Sequence, residues 1–330
     1  MGRHYLDRIV ARVGTSYLTP LTDKRIDSGI RAGRLGDFHF ADRFVFYFAD
    51  PNLIHLGDQL FHQALINYLQ PHYDLSIAAQ PAFSRYFESQ GLKMISPKDC
   101  ASIRGAIIIS KEDTAFQISR LFPSGNYFMG FGYGAMANDA RVVVALTQLV
   151  AGMAADIGIT LPPVPDEASD IYQPYIPSSC LAEYGRPDWI DAIENMPYDR
   201  VLAFNDVARS NILSAYKRKS ILENQARELK AQGYGIVYIG SKEDRKNSPC
   251  APDFVDVDVR GSFDALGLYK LFSLSKVAGV ITYDTLVMHV ASALKKDLYI
   301  VIKDLENLDA FRRKFIPMFP QADHLVRAVF

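Results

Sequence analysis

Two short stretches of this chain carry residues whose types and spacing could do chemistry. The first is "HLGDQLF", His55 to Phe61. Gly57 permits a tight turn that a side chain would obstruct. Asp58 follows it, just ahead of an apolar helical pattern. A carboxylate in that place has two readings. It can cap the helix, accepting hydrogen bonds from N–H groups that the first turn leaves unmade. It can also stand as a general base that takes a proton from a hydroxyl. His55 and His62 lie close by, His62 one turn into the helix. Either could meet an acceptor, and a satisfied surface histidine explains each one alone.

The second stretch is "TYDTLVMHVA", Thr282 to Ala291. Asp284 again takes an N-cap position, where an apolar strand becomes a helix. Thr285 and His289 are four residues apart, so they share one helix face. Val287, Val290, Ala291 and Leu294 cover the buried side. The start of a helix offers unmade N–H groups and the positive end of the dipole. Such an end suits a phosphate, and His289 would add a donor one turn further in. A capping Asp and a partly exposed histidine account for the residues singly. They do not account for all three meeting at one helix end, and the junction reads as a seat for a diphosphate.

The elements that would position these residues follow from pattern. "RFVFYFA" is a short aromatic and β-branched run, read as the first strand. A helix over Gln59 to Leu69 keeps Leu60, Phe61, Ala64, Leu65 and Tyr68 on one face. The alternation continues through "LSIAAQ", "GAIIIS" and "NYFMGFGY", with helices between, and a long helix follows from Arg141. Residues Leu161 to Pro197 hold seven prolines and read as a connection with little regular structure. Strands and helices then alternate again: "RVLAFND", a helix from Ile221 to Gln232, "YGIVYIGS", "FVDVDV", a helix from Ala265, "GVITY", a helix from Thr285 and "LYIVI". Such alternation implies βαβ units and parallel sheets. The expected organisation is an extension over 1–43, an α/β domain over 44–165, a Pro-rich linker over 166–197, a second α/β domain over 198–310 and a tail helix over 311–330. In doubly wound sheets ligands bind beyond the carboxyl ends of the strands, which is where both stretches fall.

Composition sets the bounds. The chain has 330 residues, 49% of them apolar, enough for two cores. A formal net charge of −1 gives no argument for a nucleic-acid partner. Three scattered cysteines suit a reducing compartment such as the cytoplasm better than a disulfide framework. No run is long and apolar enough for a membrane span, and the first residues lack the apolar core of a signal peptide. Arg3, Arg8 and Arg12 alternate with Ile9, Val10 and Val13, which allows a short amphipathic helix. It would pack on the body or make a peripheral contact with a membrane surface. "MGFGYGA" misses the spacing of a dinucleotide-binding glycine motif, and it reads as a strand end with a turn. Asp256 and Asp258 in "FVDVDV" more simply describe a strand with one wet face than a metal pair, so no metal and no cofactor are expected.

The two stretches and their order resemble the heptosyltransferase-like glycosyltransferases, glycosyltransferase family nine. "LGDQLFHQALINYLQPHYD" is similar to their first motif, a Gly-Asp pair opening a helix. "LGLYKLFSLSKVAGVITYDTLVMHVASALKKDLYIVI" is similar to their last, with the same spacing from acid to histidine. The likeness runs from about Phe44 to Ile302. It implies the GT-B fold, two Rossmann-like doubly wound parallel-sheet domains facing a cleft. It also implies inverting, metal-independent transfer of a heptose or related sugar from a nucleotide diphosphate sugar to a glycan acceptor. That acceptor would be a bacterial surface polysaccharide or lipopolysaccharide, met in the cytoplasm or at the inner membrane. Asp58 would be the base, and Asp284, Thr285 and His289 would hold the diphosphate and sugar. The family's Lys after the first donor-domain strand would be Lys217, with Lys219 and Arg209 as rivals, and Glu243 would contact the nucleoside. The chain departs from the family in two places: Leu286 stands where the family has Gly, and "KRKS" replaces Lys-x-Trp-Pro. A nucleotide-sugar epimerase of GT-B type and a non-catalytic descendant that binds a nucleotide sugar or a glycan are the alternative readings.

Overall fold

The structure is a computed structural model that describes residues 38–51, 56–111, 118, 121–123, 125–131, 141–208, 212–301 and 326–329. His55, Arg209, most of the N-terminal extension and most of the helix expected near 114–122 lie outside these residues. The chain divides into two compact units, Met1–Gln173 and Pro174–Phe330.

In the first unit, β1 (Arg43–Tyr47) leads to two short helices, α1 (Leu56–Leu60) and α2 (Gln63–Leu69). After them come β2 (Asp74–Ala78), α3 (Ser84–Glu88), β3 (Lys93–Met94), β4 (Ala106–Lys111), β5 (Tyr127–Phe131) and α4 (Val142–Asp156). The strands lie parallel in the order β3-β2-β1-β4-β5. A parallel sheet is covered on both faces, which explains why its strands are apolar without alternation. Phe44, Val45, Phe46, Ile107, Ile108 and Ile109 are at most 1% exposed. At the open end of the pair β1–β2, Arg43 Nε donates to Asp74 Oδ2 at 2.7 Å, in register across the sheet.

The single helix expected over Gln59 to Leu69 is instead two pieces, and the cause is local. A continuous helix would send the His62 N–H to the Asp58 carbonyl. The ring of His62 lies against that carbonyl, Nδ1 at 3.1 Å, and the His62 N–H turns to Gln59 O at 3.4 Å. The tighter turn swings the imidazole inward beside Phe48, with ring centroids 4.6 Å apart.

The second unit begins with α5 (Ser178–Ala182) and α6 (Asp188–Glu194). It continues through β6 (Val201–Phe204), α7 (Ile212–Ala231), β7 (Gly235–Tyr238), α8 (Lys242–Asn247), β8 (Val257–Asp258), α9 (Ala265–Ser273), β9 (Val277–Tyr283), α10 (Leu286–Ala293), β10 (Asp297–Val301) and β11 (Val326–Val329). The strands are parallel in the order β11-β10-β9-β6-β7-β8. Counted from β6, this is the Rossmann order, and the strand order reverses between β6 and β9. Leu222, Ala226 and Leu229 of α7 line up at helical spacing and pack into a core with Leu202, Phe204 and Ile281. Each such leucine contributes about 1.5–3 kcal/mol when fully buried.

Four expectations change here. The helix expected from Ile221 begins at Ile212, so Lys217 stands on a helix and not in a loop. The run "FVDVDV" shrinks to the two-residue β8: the Asp256 N–H still donates to Ile236 O at 2.9 Å, but the Asp256 carboxylate, which also binds Lys230 Nζ at 2.6 Å, takes the Ile236 N–H at 2.8 Å in place of a strand carbonyl. The Pro-rich stretch holds three short helices: a 3-10 turn over Asp170–Tyr172, α5 and α6. Prolines at or just before helix starts fit, because the first turn needs no N–H from them. Near the C-terminus, Val326–Val329 is a parallel edge strand on β10 where a tail helix was expected.

Candidate functional site

In the second unit the sequence candidates gather where β9 becomes α10, beside the reversal of strand order. Asn205, one residue past β6, ties that point to both neighbouring strands. Its N–H donates to Ile281 O at 3.0 Å and its side-chain amide to Ile239 O at 3.2 Å. The buried hydroxyl of Thr282 donates to Asn205 Oδ1 at 3.2 Å. The Thr285 hydroxyl lies 3.2 Å from that of Thr282, and with the Thr282 proton already given, Thr285 is the donor. A ladder of three polar side chains therefore runs across the switch point to the start of α10.

Thr285, not Asp284, is the N-cap of α10, with extended backbone and no side-chain cap bond to the helix. Its hydroxyl is turned to Thr282 instead. The first N–H groups of α10 thus receive no side-chain cap from Thr285, which is the condition for an anion to serve as cap. Asp284 precedes the cap, half-buried. His289 is 2% exposed, which sets aside the bland alternative of a partly exposed histidine. Its Nε2 lies 3.7 Å from Asp284 Oδ1. Burial pushes its pKa down to about 3, so the imidazole is neutral at pH 7. It faces Asp284 from inside and does not present a charge to solvent.

Of the remaining donor-side candidates, Lys217 and Lys219 stand on α7 and Glu243 on α8. Lys219 Nζ is 2.9 Å from Asp206 Oδ2 and 3.7 Å from Glu223 Oε1. The side chain of Lys217 and all of Arg209 lie outside the described residues. Glu243 is exposed in the first turn of α8, after β7. The capping box of that helix is made by Ser241 and Asp244, which leaves Glu243 outside the cap. Asn205, Asp206 and Thr282 were missed. The signal for them was the polar pair that ends "VLAFND", which becomes meaningful only once β6 is known to flank β9.

In the first unit, Gly57 and Asp58 lie inside α1, in its first turn, so Asp58 is not an N-cap. An acid there interacts favourably with the helix dipole. Asp58 is half-buried, next to the fully buried Gln59 and Leu60. His62 is fully buried, and its pKa falls to about 4, lowered by burial and partly restored by its bond to the Asp58 carbonyl. It is a packed residue among Phe46 and Phe48, not a surface one.

The pair Asp256 and Asp258 is engaged, Asp256 by Lys230 and Asp258 by Arg260. Among the described residues, no group of three or more His, Cys, Asp or Glu is gathered as a metal ion would require. Among them too, no helix is long and apolar enough to cross a membrane.

No family model matches the sequence, and no curated protein matches it significantly. Solved structures do match in fold. The ADP-heptose lps heptosyltransferase II of E. coli aligns at TM-score 0.51 and 16% identity, covering 87% of this chain and 89% of its own. A glycosyl transferase family 9 protein of Veillonella parvula aligns at TM-score 0.56 and 11% identity, over 88% of this chain and 86% of its own. The E. coli heptosyltransferase WaaC with ADP aligns at TM-score 0.51 and 13% identity, over 87% and 92%. The chain therefore has the α/β fold of these GT-B glycosyltransferases along most of its length.

Proposed function

We propose that this protein is a glycosyltransferase that moves a heptose or related sugar from a nucleotide diphosphate sugar to a glycan hydroxyl, with inversion and without a metal. The observation that carries the reading is the polar ladder Asn205–Thr282–Thr285 at the strand-order reversal, ending on a helix start that Thr285 does not cap. The structures that match in fold, which include a heptosyltransferase with ADP, support the same donor class. The first-turn N–H groups of α10 would receive the diphosphate. Asp284, supported from within by neutral His289, would hold sugar hydroxyls. Lys217 or Lys219 would supply positive charge, and Glu243 would meet the nucleoside.

In the reaction the Asp58 carboxylate takes the proton of the acceptor hydroxyl as its oxygen attacks the anomeric carbon. The bond from that carbon to the diphosphate breaks on the opposite face, so the configuration inverts. Charge developing on the leaving oxygens is met by fixed N–H donors and a lysine ammonium. One preorganised donor of this kind is worth about 3–4 kcal/mol of barrier. Gly57 keeps the chain small beside the base. The acceptor is proposed to be a surface polysaccharide or lipopolysaccharide, reached from the cytoplasm by peripheral contact with the membrane.

The experiment is a calorimetric titration with ADP, GDP, UDP and dTDP, followed by transfer assays with the sugar of the tightest-binding nucleotide in the presence and absence of EDTA. Saturable binding of one diphosphate and EDTA-resistant transfer with an inverted product are expected. Absence of binding by all four diphosphates removes the donor site and the reading with it.

A further inference from the structure

Beyond the ends of β6 and β7 runs a chain of charged and aromatic side chains, and apart from Lys219 the reaction above gives them no role. Asp206 follows Asn205 and is 8% exposed. Its Oδ1 accepts from the Tyr238 hydroxyl at 2.7 Å, and its Oδ2 meets Lys219 Nζ at 2.9 Å. Burial, and then the Asp206 charge, push the Tyr238 phenol above its ordinary range, so it stays a donor. On the other side of Tyr238 lies the guanidinium of Arg260, its carbon 4.0 Å from the ring centroid. Arg260 is 1% exposed. Its Nε and Nη2 donate to the two oxygens of Asp258 at 3.0 and 2.8 Å, and its Nη1 to Ser248 O at 2.7 Å. Ser248 closes α8, the helix that carries Glu243. The turn after Arg260 presses on the start of the same helix. Gly261 has φ +80°, its N–H donates to Gly240 O at 2.8 Å, and a side chain there would run into Lys242 Cγ at 2.7 Å. One continuous set of contacts therefore joins α8 to Lys219.

A buried carboxylate with a lysine is poor value as a structural tie. Removing two charges from water costs several kcal/mol per ion, and apolar packing serves stability as well or better. What the arrangement does provide is a fixed place for an ammonium whose side chain is still 38% exposed. That place is defined. Asp206 is bonded in sequence to Asn205, which accepts from Thr282, which meets Thr285 at the start of α10. Tyr283, the residue before Asp284, feels the charges of both Asp206 and Arg218. The ammonium thus lies at the same end of the same sheet as the proposed diphosphate seat.

We propose that Asp206 is a positioning residue of the donor site: held by the Tyr238 hydroxyl, whose ring packs against Arg260, it holds the Lys219 ammonium where the diphosphate arrives. The proposal rests on the donor-site reading of α10, and it selects Lys219 from the three candidate cations. It also links the nucleoside side of the site, through α8, to the phosphate side.

The test is a double-mutant cycle read by calorimetry, using whichever of ADP, GDP, UDP or dTDP binds the wild-type chain most tightly. Lys219→Met is expected to weaken that diphosphate about tenfold or more, the loss of a charge-assisted hydrogen bond. Asp206→Asn is expected to weaken it in the wild-type background and to have no further effect in the Lys219→Met background. Tyr238→Phe keeps the ring under Arg260 and removes only the hydroxyl. It should show a smaller loss with the same dependence on Lys219, and it serves if Asp206→Asn does not fold. A merely structural role predicts additive losses. Unchanged binding by Lys219→Met, or equal losses from Asp206→Asn and Tyr238→Phe in both backgrounds, overturns the positioning role while the donor site stands. A wild-type chain that binds none of the four diphosphates overturns both together.

Discussion

Each unit turns a parallel strand into a helix and follows an acid with a buried histidine, yet the two junctions are built differently. In the first, the His62 ring takes the Asp58 main-chain carbonyl, the helix breaks after one turn, and Asp58 is half-buried next to the buried Gln59 and Leu60. In the second, the helix is unbroken, the acid side chain itself faces the histidine, and polar side chains from β6 and β9 converge on the helix start. The first arrangement presents one carboxylate; the second presents a field of donors. A reaction that needs a base for one substrate and an anion seat for the other would use them in that division.

The sharpest way to break the comparison is Asp58→Asn. Asn keeps the size and the hydrogen-bonding ability of the side chain but cannot take the acceptor's proton. Transfer should fall by about 10²–10⁴, the usual contribution of a general base. Diphosphate binding should stay as in the wild type. The unfolding free energy should drop by less than about 1 kcal/mol, the loss of an acid's interaction with the first helical turn. Transfer at the wild-type rate reduces Asp58 to a helix-dipole residue, and the division of labour fails.

Acid stability comes next in size. The pKa of His62 is lowered to about 4 and that of His289 to about 3, both by burial. Unfolded histidines titrate near 6.5, so as pH falls the unfolded chain binds these protons first. The stability tied to the two neutral rings is intact above about pH 6.5 and is lost as pH falls toward 4 for His62 and 3 for His289. Each histidine contributes a slope of up to about 1.4 kcal/mol per pH unit. Urea unfolding between about pH 6 and 5, above most carboxylate titration, should show both. His62→Phe keeps an aromatic ring against Phe46 and Phe48 and should remove close to half of that slope. An unchanged slope means that the first junction does not bury a neutral imidazole as described.

Much of this was legible along the chain. The apolar runs of β1, β4, β6 and β9 announced themselves because strands covered on both faces need no polar residues. The grouping of Asp284, Thr285 and His289 could be proposed from the sequence because the three lie close together along the chain. The break at His62 was not, since it depends on where one ring points. The early start of α7 was hidden by its composition: "SAYKRKS" is polar, and only Leu222, Ala226 and Leu229 further on mark the buried face. Asp206 with Lys219 and Tyr238 could not be read at all. Those residues lie 13 and 32 positions from the acid, and only the strand order brings them to it.

The finest contrast concerns one residue at each helix start. The first unit places Gly57 in the opening turn, directly before its acid; the second places Leu286 there, directly after its cap. If the second junction seats a diphosphate on the N–H groups of α10, the Leu286 side chain stands at the rim of that seat and limits how closely the oxygens approach. Leu286→Gly gives the second helix start the open backbone of the first. Its cost in stability should be about 1–2 kcal/mol, from glycine's poorer helix propensity and the loss of a half-buried side chain. In return the diphosphate should bind more tightly by up to about fivefold, which is ~1 kcal/mol. Parallel measurements of melting and of diphosphate titration separate the two effects. Weaker diphosphate binding would mean that Leu286 shapes the seat and does not crowd it, and that the two helix starts differ in kind and not only in one side chain.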